Sequence, residues 1–214
     1  MSKGKISKSV IKRLPRYYRF LNELEEQNIE RISSNKLAEI MRVTASQVRQ
    51  DLNCFGGFGH QGYGYSVPKL KEEIENILGL NNRYNAVLIG AGHLGSALAA
   101  HMKFEKLGFN LIGIFDNNDR ITGNYIGDVM IQDDKNLESF CKENKVSVAF
   151  LCIPKSVAPK EVKRLYDLGI RSFWNFTHYY IQGDFPDTVV ENVHLSDRMM
   201  TLCYSMNEAG VKNE

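Results

Sequence analysis

Residues 87–98 read Val87-Leu88-Ile89-Gly90-Ala91-Gly92-His93-Leu94-Gly95-Ser96-Ala97-Leu98, an apolar run that leads into a Gly-x-Gly-x-x-Gly spacing. This order is typical of a strand, a tight turn and the start of a helix. Gly90 permits the sharp turn, Gly92 lets a pyrophosphate approach the backbone, and Gly95 lets the helix pack against the strand. The stretch predicts a dinucleotide site with phosphate at the positive end of the helix. The alternative is a glycine-rich turn that binds nothing.

A second apolar run, residues 110–116, favours the dinucleotide. It ends on Asp116, 21 residues beyond Gly95, which is the spacing expected of a carboxylate that bonds a ribose 2′-hydroxyl. Because a carboxylate there repels a 2′-phosphate, we expect NADH and NAD+ rather than the phosphorylated dinucleotides. The predicted cofactor residues of this part of the chain are Gly90, Ala91, Gly92, His93, Leu94, Gly95 and Asp116.

Later apolar runs extend the same pattern. Residues 146–154 are nearly all apolar and residues 170–176 follow a helical segment, so strands and helices alternate. Alternation predicts a parallel sheet with right-handed crossovers, whose ligands lie at the carboxyl ends of the strands. Pro154 ends the first of these runs and Asn175 lies one residue before the end of the second. We expect both to share the rim with the glycine turn and to flank the nicotinamide.

The two parts of the chain differ in net charge. Residues 1–80 hold 13 Lys+Arg against 9 Asp+Glu, whereas residues 81–214 hold 14 against 16. The first 19 residues carry seven basic groups and no acid, which favours an anionic polymer as a partner. The four cysteines are widely spaced and no histidine pair has helical metal-ligand spacing, so we expect reduced thiols and no metal site. The sequence shows no signal peptide and no membrane-spanning apolar run, so we expect a soluble, cytoplasmic protein.

The basic half predicts a winged helix-turn-helix that binds double-stranded DNA. Pro15 can open a first helix, and a second is expected over Asn35–Met41 with Ser34 as its N-cap. Thr44 and Gln47 have the spacing of a capping box at the start of a third helix. Aromatic and turn residues alternate over 55–65, as in a β-hairpin wing; a three-helix module with a loop is the alternative. The predicted DNA-binding residues are Arg16, Arg19, Ser46, Gln47, Arg49, Gln50, His60 and Tyr63.

Three segments are therefore expected: a DNA-binding domain over 1–80, a Rossmann NAD(H)-binding domain over 81–192, and a C-terminal helix over 193–214. The last has an apolar stripe at Leu195, Met199, Leu202, Cys203 and Met206. Packing within its own domain and docking on a second chain are both open; docking would pair two DNA-binding domains on a palindromic site. The fold class is α/β.

Catalysis is not expected. Only 39 residues follow Asn175, too few for the separate substrate domain of a typical two-domain dehydrogenase. Two rival functions remain: a small NAD-dependent oxidoreductase, and a nucleotide module of the coenzyme A-binding type, since the same strand, turn and helix can hold that ligand's pyrophosphate.

Several motifs in one order give a further indication. They are Arg13-Leu14-Pro15-x-Tyr17-Tyr18-Arg19-Phe20-Leu21, Gln47-Val48-Arg49-x-Asp51-Leu52, Phe55-Gly56-x-Phe58-Gly59-x-x-Gly62-x-Gly64-Tyr65, Gly90-Ala91-Gly92-x-Leu94-Gly95 and Asn175-Phe176. Together they resemble the redox-sensing transcriptional repressor Rex family over almost the whole chain. The resemblance implies a homodimer with exchanged C-terminal helices, a winged helix that binds operators, and a Rossmann domain that senses NADH against NAD+, with NADH causing release.

The chain departs from the family pattern at several positions. Basic residues are usual where Gln50 and His60-Gln61 stand, so we expect fewer phosphate contacts and weaker operator binding. Asn is common where this turn has His93. An Asp-aromatic pair commonly opens the last helix where His194-Leu195 stands, and the resemblance makes that Asp the partner of Arg13 in a contact that differs between the two states. Without this carboxylate, we expect weaker or differently connected NADH release.

Overall fold

The computed structural model describes residues 6–55, 59–60 and 63–211, and these divide into two compact units with a boundary between Asn81 and Asn82. The central residues of the expected wing, 56–58 and 61–62, lie outside the described residues, as does the side chain of His60. The helices of the first unit are α1 (Lys8–Glu26), α2 (Ser34–Met41), α3 (Ala45–Asn53) and α4 (Val67–Leu78). Its strands form an antiparallel sheet in the order β1 (Arg31–Ile32), β3 (Gly64–Ser66), β2 (Gly59–His60).

Helix α1 differs from the sequence expectation because it begins well before Pro15. Ser7 caps it by accepting a hydrogen bond from the Val10 amide, and Pro15 lies inside the helix. Proline removes the hydrogen bond to the carbonyl four residues earlier, but Ile11 and Pro15 are both exposed, so water can bind that carbonyl. The buried stripe of α1 consists of Val10, Leu14, Tyr17, Leu21 and Leu24.

Two capping expectations in the helix-turn-helix are also corrected. Helix α2 is capped by Ser33, not Ser34, through a 3.1 Å bond from the Lys36 amide. Thr44 does cap α3 by accepting from the Gln47 amide, but the capping box is not closed, because the Gln47 side chain bonds to Asp51 instead. A buried carboxylate has therefore taken the donor that the box required.

The second unit contains a seven-stranded sheet in which β7 and β6 pair antiparallel and every other neighbouring pair is parallel. Its strands in sheet order are β10 (Val189–Asn192), β9 (Ser172–Asn175), β8 (Val148–Leu151), β4 (Tyr84–Ile89), β5 (Phe109–Asp116), β7 (Val129–Asp133) and β6 (Tyr125–Ile126). Its helices are α5 (His93–His101), α6 (Leu137–Asn144), α7 (Ala158–Asp167), α8 (Ile181–Asp184) and α9 (Leu195–Glu208), with 3-10 turns at Phe104–Leu107 and Asp134–Asn136.

Two apolar layers hold this sheet. One face packs against α6 and α7 through side chains such as Val87, Leu137 and Val162, and the other packs against α5 and the 3-10 turn through Leu88 and Phe104. Strand β10 was not expected from the sequence, and β8 and β9 are shorter than the apolar runs that predicted them. Among the described residues, none of the helices is long and apolar enough to cross a membrane.

Candidate functional site

The glycine turn connects β4 to α5 in the expected geometry. Gly90 has φ +93°, and a Cβ there would stand 2.6 Å from the Cys152 carbonyl oxygen. Gly95 touches the turn so closely that its Cβ would stand 1.9 Å from the Gly90 carbonyl oxygen. Gly92 differs, because nothing lies within 4 Å of a Cβ built on it. Gly90 and Gly95 therefore shape the turn, whereas Gly92 leaves an open approach to its backbone.

Asp116 joins the end of β5 to this turn. One carboxylate oxygen accepts a 2.7 Å hydrogen bond from the Ala91 amide, and the other accepts a 2.8 Å bond from the Asn118 amide. Each oxygen retains a further lone pair, so the carboxylate can accept hydroxyl donors from a ribose while it holds the turn. His93 and Leu94 begin α5 and are exposed.

A cavity of about 540 Å³ opens at this carboxyl edge of the sheet. It brings together Gly90, Gly92, Asp116 and Pro154, as expected for strands that end on one rim. An open glycine backbone, a helix N-terminus and an acceptor carboxylate fit a dinucleotide. Asn175 is not among the lining residues: it is fully buried, and its amide donates to the Tyr179 carbonyl and to Asn192.

One wall of the cavity was not found from the sequence. Arg164 donates to Asp134 at 2.8 Å and lies 3.4 Å from both Glu138 and Glu161. Burial, and then the neighbouring Asp134 charge, raise the pKa of Glu161. The sequence does contain a signal for this wall. Asp134 directly follows β7, just as Asp116 ends β5, so an acid at the same edge of the sheet could have been predicted. The cluster gives this end of the cavity an acidic wall around one arginine.

Cys152 also lines the cavity but is not poised as a nucleophile. Burial raises the pKa of its thiol to about 12, so the group stays protonated near neutral pH.

In the first unit, α3 presents an exposed polar face. Ser46, Arg49 and Gln50 lie on it, and the Arg49 guanidinium donates to the Ser34 hydroxyl at 3.1 Å. Gln47 is half-buried, and its amide nitrogen donates to Asp51 at 2.7 Å. The side chains expected at a groove are therefore not equivalent, because one of them is turned toward the interior.

The other predicted DNA residues are placed as follows. Arg16 is half-buried and donates to the Met41 carbonyl at the end of α2, whereas Arg19 is exposed beside the Phe20 ring. Tyr63 is 74% exposed next to β3, and its carbonyl accepts a 3.0 Å bond from Arg31. The His60 backbone pairs with Gly64 in the hairpin. Arg19 and Tyr63 are thus free to meet a polyanion, and Arg16 is partly engaged.

Arg13 and His194 occupy the two positions that the resemblance makes partners when the second is an Asp, and here each bonds within its own unit. The Arg13 guanidinium forms two 2.7 Å bonds to Asp51. His194 precedes α9 and its Nδ1 lies 2.7 Å from Nδ1 of His178. A hydrogen bond between these two atoms requires one of them to donate and the other to accept. Leu195 is 61% exposed.

Comparisons with known proteins agree with both parts of this geometry. Residues 5–53 match the family described as "Putative DNA-binding protein N-terminus", and residues 81–179 match the family described as "CoA binding domain". The chain is 52% identical to a redox-sensing transcriptional repressor Rex of Clostridium perfringens, over 97% of both chains. It is 51% identical to a protein of the same name from Thermoanaerobacter pseudethanolicus, over 96% of this chain and 92% of the relative.

Solved structures give the same result. The chain is similar to RSP in complex with β-NAD+ and operator DNA, with a TM-score of 0.86 and 49% identity over 96% of this chain and 94% of that one. It is equally similar to RSP in complex with β-NADH, with a TM-score of 0.86 and 46% identity over 97% of each chain. A third structure, of RSP described as a Rex-family repressor, has a TM-score of 0.84 and 47% identity over 96% of each.

Proposed function

The chain belongs to the redox-sensing transcriptional repressor Rex family, and we propose that its two units divide the work of that family. The first unit holds operator DNA, and the second binds NADH or NAD+. The chain is thus a DNA-binding transcriptional repressor that senses the balance of NADH and NAD+, and the predicted winged-helix and Rossmann-like fold class is confirmed. The observation that carries the proposal is one polypeptide with an open glycine turn and an exposed polar face on α3, which we call the reading helix.

For the DNA, we assign the base contacts to the exposed face of α3. Ser46, Arg49 and Gln50 are positioned for a major groove, and an arginine there suits the two acceptors of a guanine. Arg19, the wing residue Tyr63 and the backbone near His60 are assigned to the flanking DNA backbone. Arg16 supports the end of α2 and contacts phosphate only with the part of its guanidinium not bonded to Met41.

For the cofactor, we assign the pyrophosphate to the N-terminus of α5 and the ribose to Asp116. When bound, the nicotinamide supplies the redox signal, since its ring is cationic in NAD+ and neutral in NADH. The glycine turn and Asp116 meet the half that both forms share, and equal binding shifts no conformational equilibrium. Discrimination therefore belongs to the other end of the site, where we place Pro154, whereas His93 and Leu94 are assigned to the glycine turn at the start of α5. Asn175 is assigned an indirect role there, through the strand ends that its buried amide connects.

We propose that the nucleotide acts as a signal and is not turned over, with NADH favouring release from the operator. The test is a fluorescence anisotropy titration of a duplex selected from a random palindrome library, with and without NADH and NAD+. We expect NADH to release the duplex and NAD+ to oppose it. Release by neither nucleotide, or consumption of NADH on addition of candidate substrates, would contradict the proposal.

The coenzyme A alternative has one specific observation in its favour, the family match over residues 81–179. Calorimetry separates it: we expect heats of binding for NADH and NAD+ and none for coenzyme A at the same concentrations.

We further propose a homodimer in which α9 docks on the second copy. Every residue of α9 is exposed, including Leu195, Met199, Leu202 and Met206 on one stripe. The second unit also has an apolar cavity of about 640 Å³ on one face of the sheet, walled by Phe104, Phe109, Phe150 and Trp174. The apolar stripe of α9 and the apolar cavity on the sheet are complementary. If each chain placed its α9 in the cavity of the other, both apolar surfaces would be buried in a closed dimer.

Met199→Glu is expected to weaken this dimer by about tenfold or more, because it places a charge in the docked stripe. Thr201→Glu is the matched control, since it adds the same charge on the opposite side of α9. Light scattering over a dilution series measures both. Dimers of equal strength in the two variants would show that this stripe is not the contact.

We place the repressor in the cytoplasm, because the operator DNA and the NADH that it senses are both found there.

His194→Asp is expected to strengthen NADH-induced release by about five- to tenfold. In the family pattern a carboxylate at this position pairs with Arg13 in a contact that differs between the two states, and His194→Asp restores that carboxylate. His194→Asn is the control, because it removes the imidazole without adding charge. The NADH concentration that releases half the operator is the measurement, and an equal shift in both variants would contradict this account.

A further inference from the structure

Asp51 is a fully buried carboxylate on the helix that presents the DNA-reading side chains. Its side chain is 1% exposed, yet it lies on α3, whose other face carries Ser46, Arg49 and Gln50. An ionised carboxylate is costly to bury unless it is paired and hydrogen-bonded. The surroundings of Asp51 meet that requirement through three side chains.

Four hydrogen bonds reach the two oxygens of Asp51. Arg13 donates to both at 2.7 Å, Tyr17 donates to Oδ2 at 3.0 Å, and Gln47 donates to Oδ1 at 2.7 Å. Each oxygen thus accepts two bonds. The planar fork of arginine matches the carboxylate in direction as well as in charge, which a single point contact cannot do.

The donors are arranged so that the cluster connects two helices. Arg13 and Tyr17 are one turn apart on α1, whereas Gln47 and Asp51 are one turn apart on α3. A rotation of α3 about its axis or a tilt against α1 would break several of these bonds together. The apolar contacts of Val48 and Leu52 hold α3 in place but fix its orientation less strictly than hydrogen bonds do, since hydrophobic burial has no preferred angle.

The charge state of the cluster agrees with this geometry. Burial alone would raise the pKa of Asp51, but the hydrogen bonds from Arg13, Gln47 and Tyr17 outweigh it and lower that pKa. Burial and the Asp51 charge raise the pKa of Tyr17, so its hydroxyl keeps the proton it donates. Because Asp51 is an acceptor only, Gln47 must turn its amide nitrogen inward, which withdraws that side chain from the groove-facing set.

We propose that Arg13, Tyr17, Gln47 and Asp51 are positioning residues that set the orientation of α3, and thereby the operator specificity of Ser46, Arg49 and Gln50. The inference deepens the proposed function and rests on α3 being the reading helix. Buried ion pairs contribute little net stability compared with apolar side chains of similar size, so a role in geometry explains this cluster better than a role in stability alone.

The experiment compares affinity for a selected operator with affinity for a random duplex of equal length, at one salt concentration and without nucleotide. Arg13→Lys keeps the positive charge but loses the planar guanidinium that bonds both oxygens of Asp51. Asp51→Asn keeps the shape of the side chain but replaces one acceptor oxygen with an amino group and removes the negative charge. Glu39→Gln is the charge-matched control, because Glu39 lies on α2 in an exposed pair with Lys36. We expect the operator-to-random ratio to fall about tenfold or more in the first two variants and to stay at the wild-type value in the control.

A ratio that survives in folded Arg13→Lys and Asp51→Asn proteins, even with a lower Tm, would overturn the inference and leave a structural role only. If these two variants do not fold, Tyr17→Phe decides: it removes one hydrogen bond and keeps the ring, and we expect a two- to threefold lower ratio. An unchanged ratio in a folded Tyr17→Phe protein would likewise overturn the inference. A wild-type protein with no operator preference would instead overturn the proposed function.

Discussion

Gly92→Ala should fold as the wild-type protein does and lose its affinity for NADH and NAD+. Gly92 has φ −64° and ψ −171°, which alanine adopts without strain, and nothing lies within 4 Å of the added methyl group. The methyl group therefore projects into the open space of the cavity, at the N-terminus of α5 where the pyrophosphate must approach. We expect a loss of about 100-fold in affinity for both nucleotides, or about 2.7 kcal/mol.

Calorimetry measures the affinities, and thermal unfolding checks that the Tm is unchanged. The functional consequence is a repressor that holds its operator in the presence of NADH, because the signal no longer binds while the first unit is untouched. Wild-type NADH affinity in Gly92→Ala would mean that the pyrophosphate does not cross this backbone. Equal loss for both nucleotides is part of the expectation, since they share this half.

Gly95→Ala should differ from Gly92→Ala in that its main effect is a loss of stability of the second unit rather than a loss of nucleotide affinity. Its Cβ would stand 1.9 Å from the Gly90 carbonyl oxygen and 3.1 Å from Leu88 Cδ2. The first neighbour is backbone in a turn that is itself confined, so the helix or the strand must move. We expect the free energy of unfolding of the second unit to fall by about 3 kcal/mol or more.

This result would be unusual for the substitution, because glycine to alanine inside a helix ordinarily stabilises by about 1 kcal/mol. Gly92→Ala serves as the matched control, with the same chemical change three residues earlier. Urea unfolding of the full chain, followed by hydrogen exchange in each unit, would locate the loss. A Gly95→Ala protein as stable as the wild type would show that α5 does not approach the turn so closely.

The features that were predictable from the sequence are those with short-range causes. The glycine spacing, the apolar run before it and the acid at Asp116 are contiguous patterns, and their positions at one rim follow from the rules of parallel sheets. The helix-turn-helix was recognised for the same reason, since caps and apolar stripes are local. Conversely, β1 is two residues long and exists through its pairing with β3, and β10 is an exposed edge strand without an alternating pattern. Neither carries a local signal.

The sequence-based expectations and the structure differ mainly in which polar side chains bond to each other. Gln47 has the spacing to cap α3 and the position to face a groove, yet Asp51 takes its amide; Arg13 bonds with a residue 38 positions away; and Asn175 is buried at the strand ends it was expected to line. Local order in the chain specified the nucleotide turn and the reading helix, because backbone geometry and capping depend on neighbours. Which donor meets which buried acceptor was settled by packing, because desolvated charges bond with whatever groups the folded chain brings within reach, however distant in sequence.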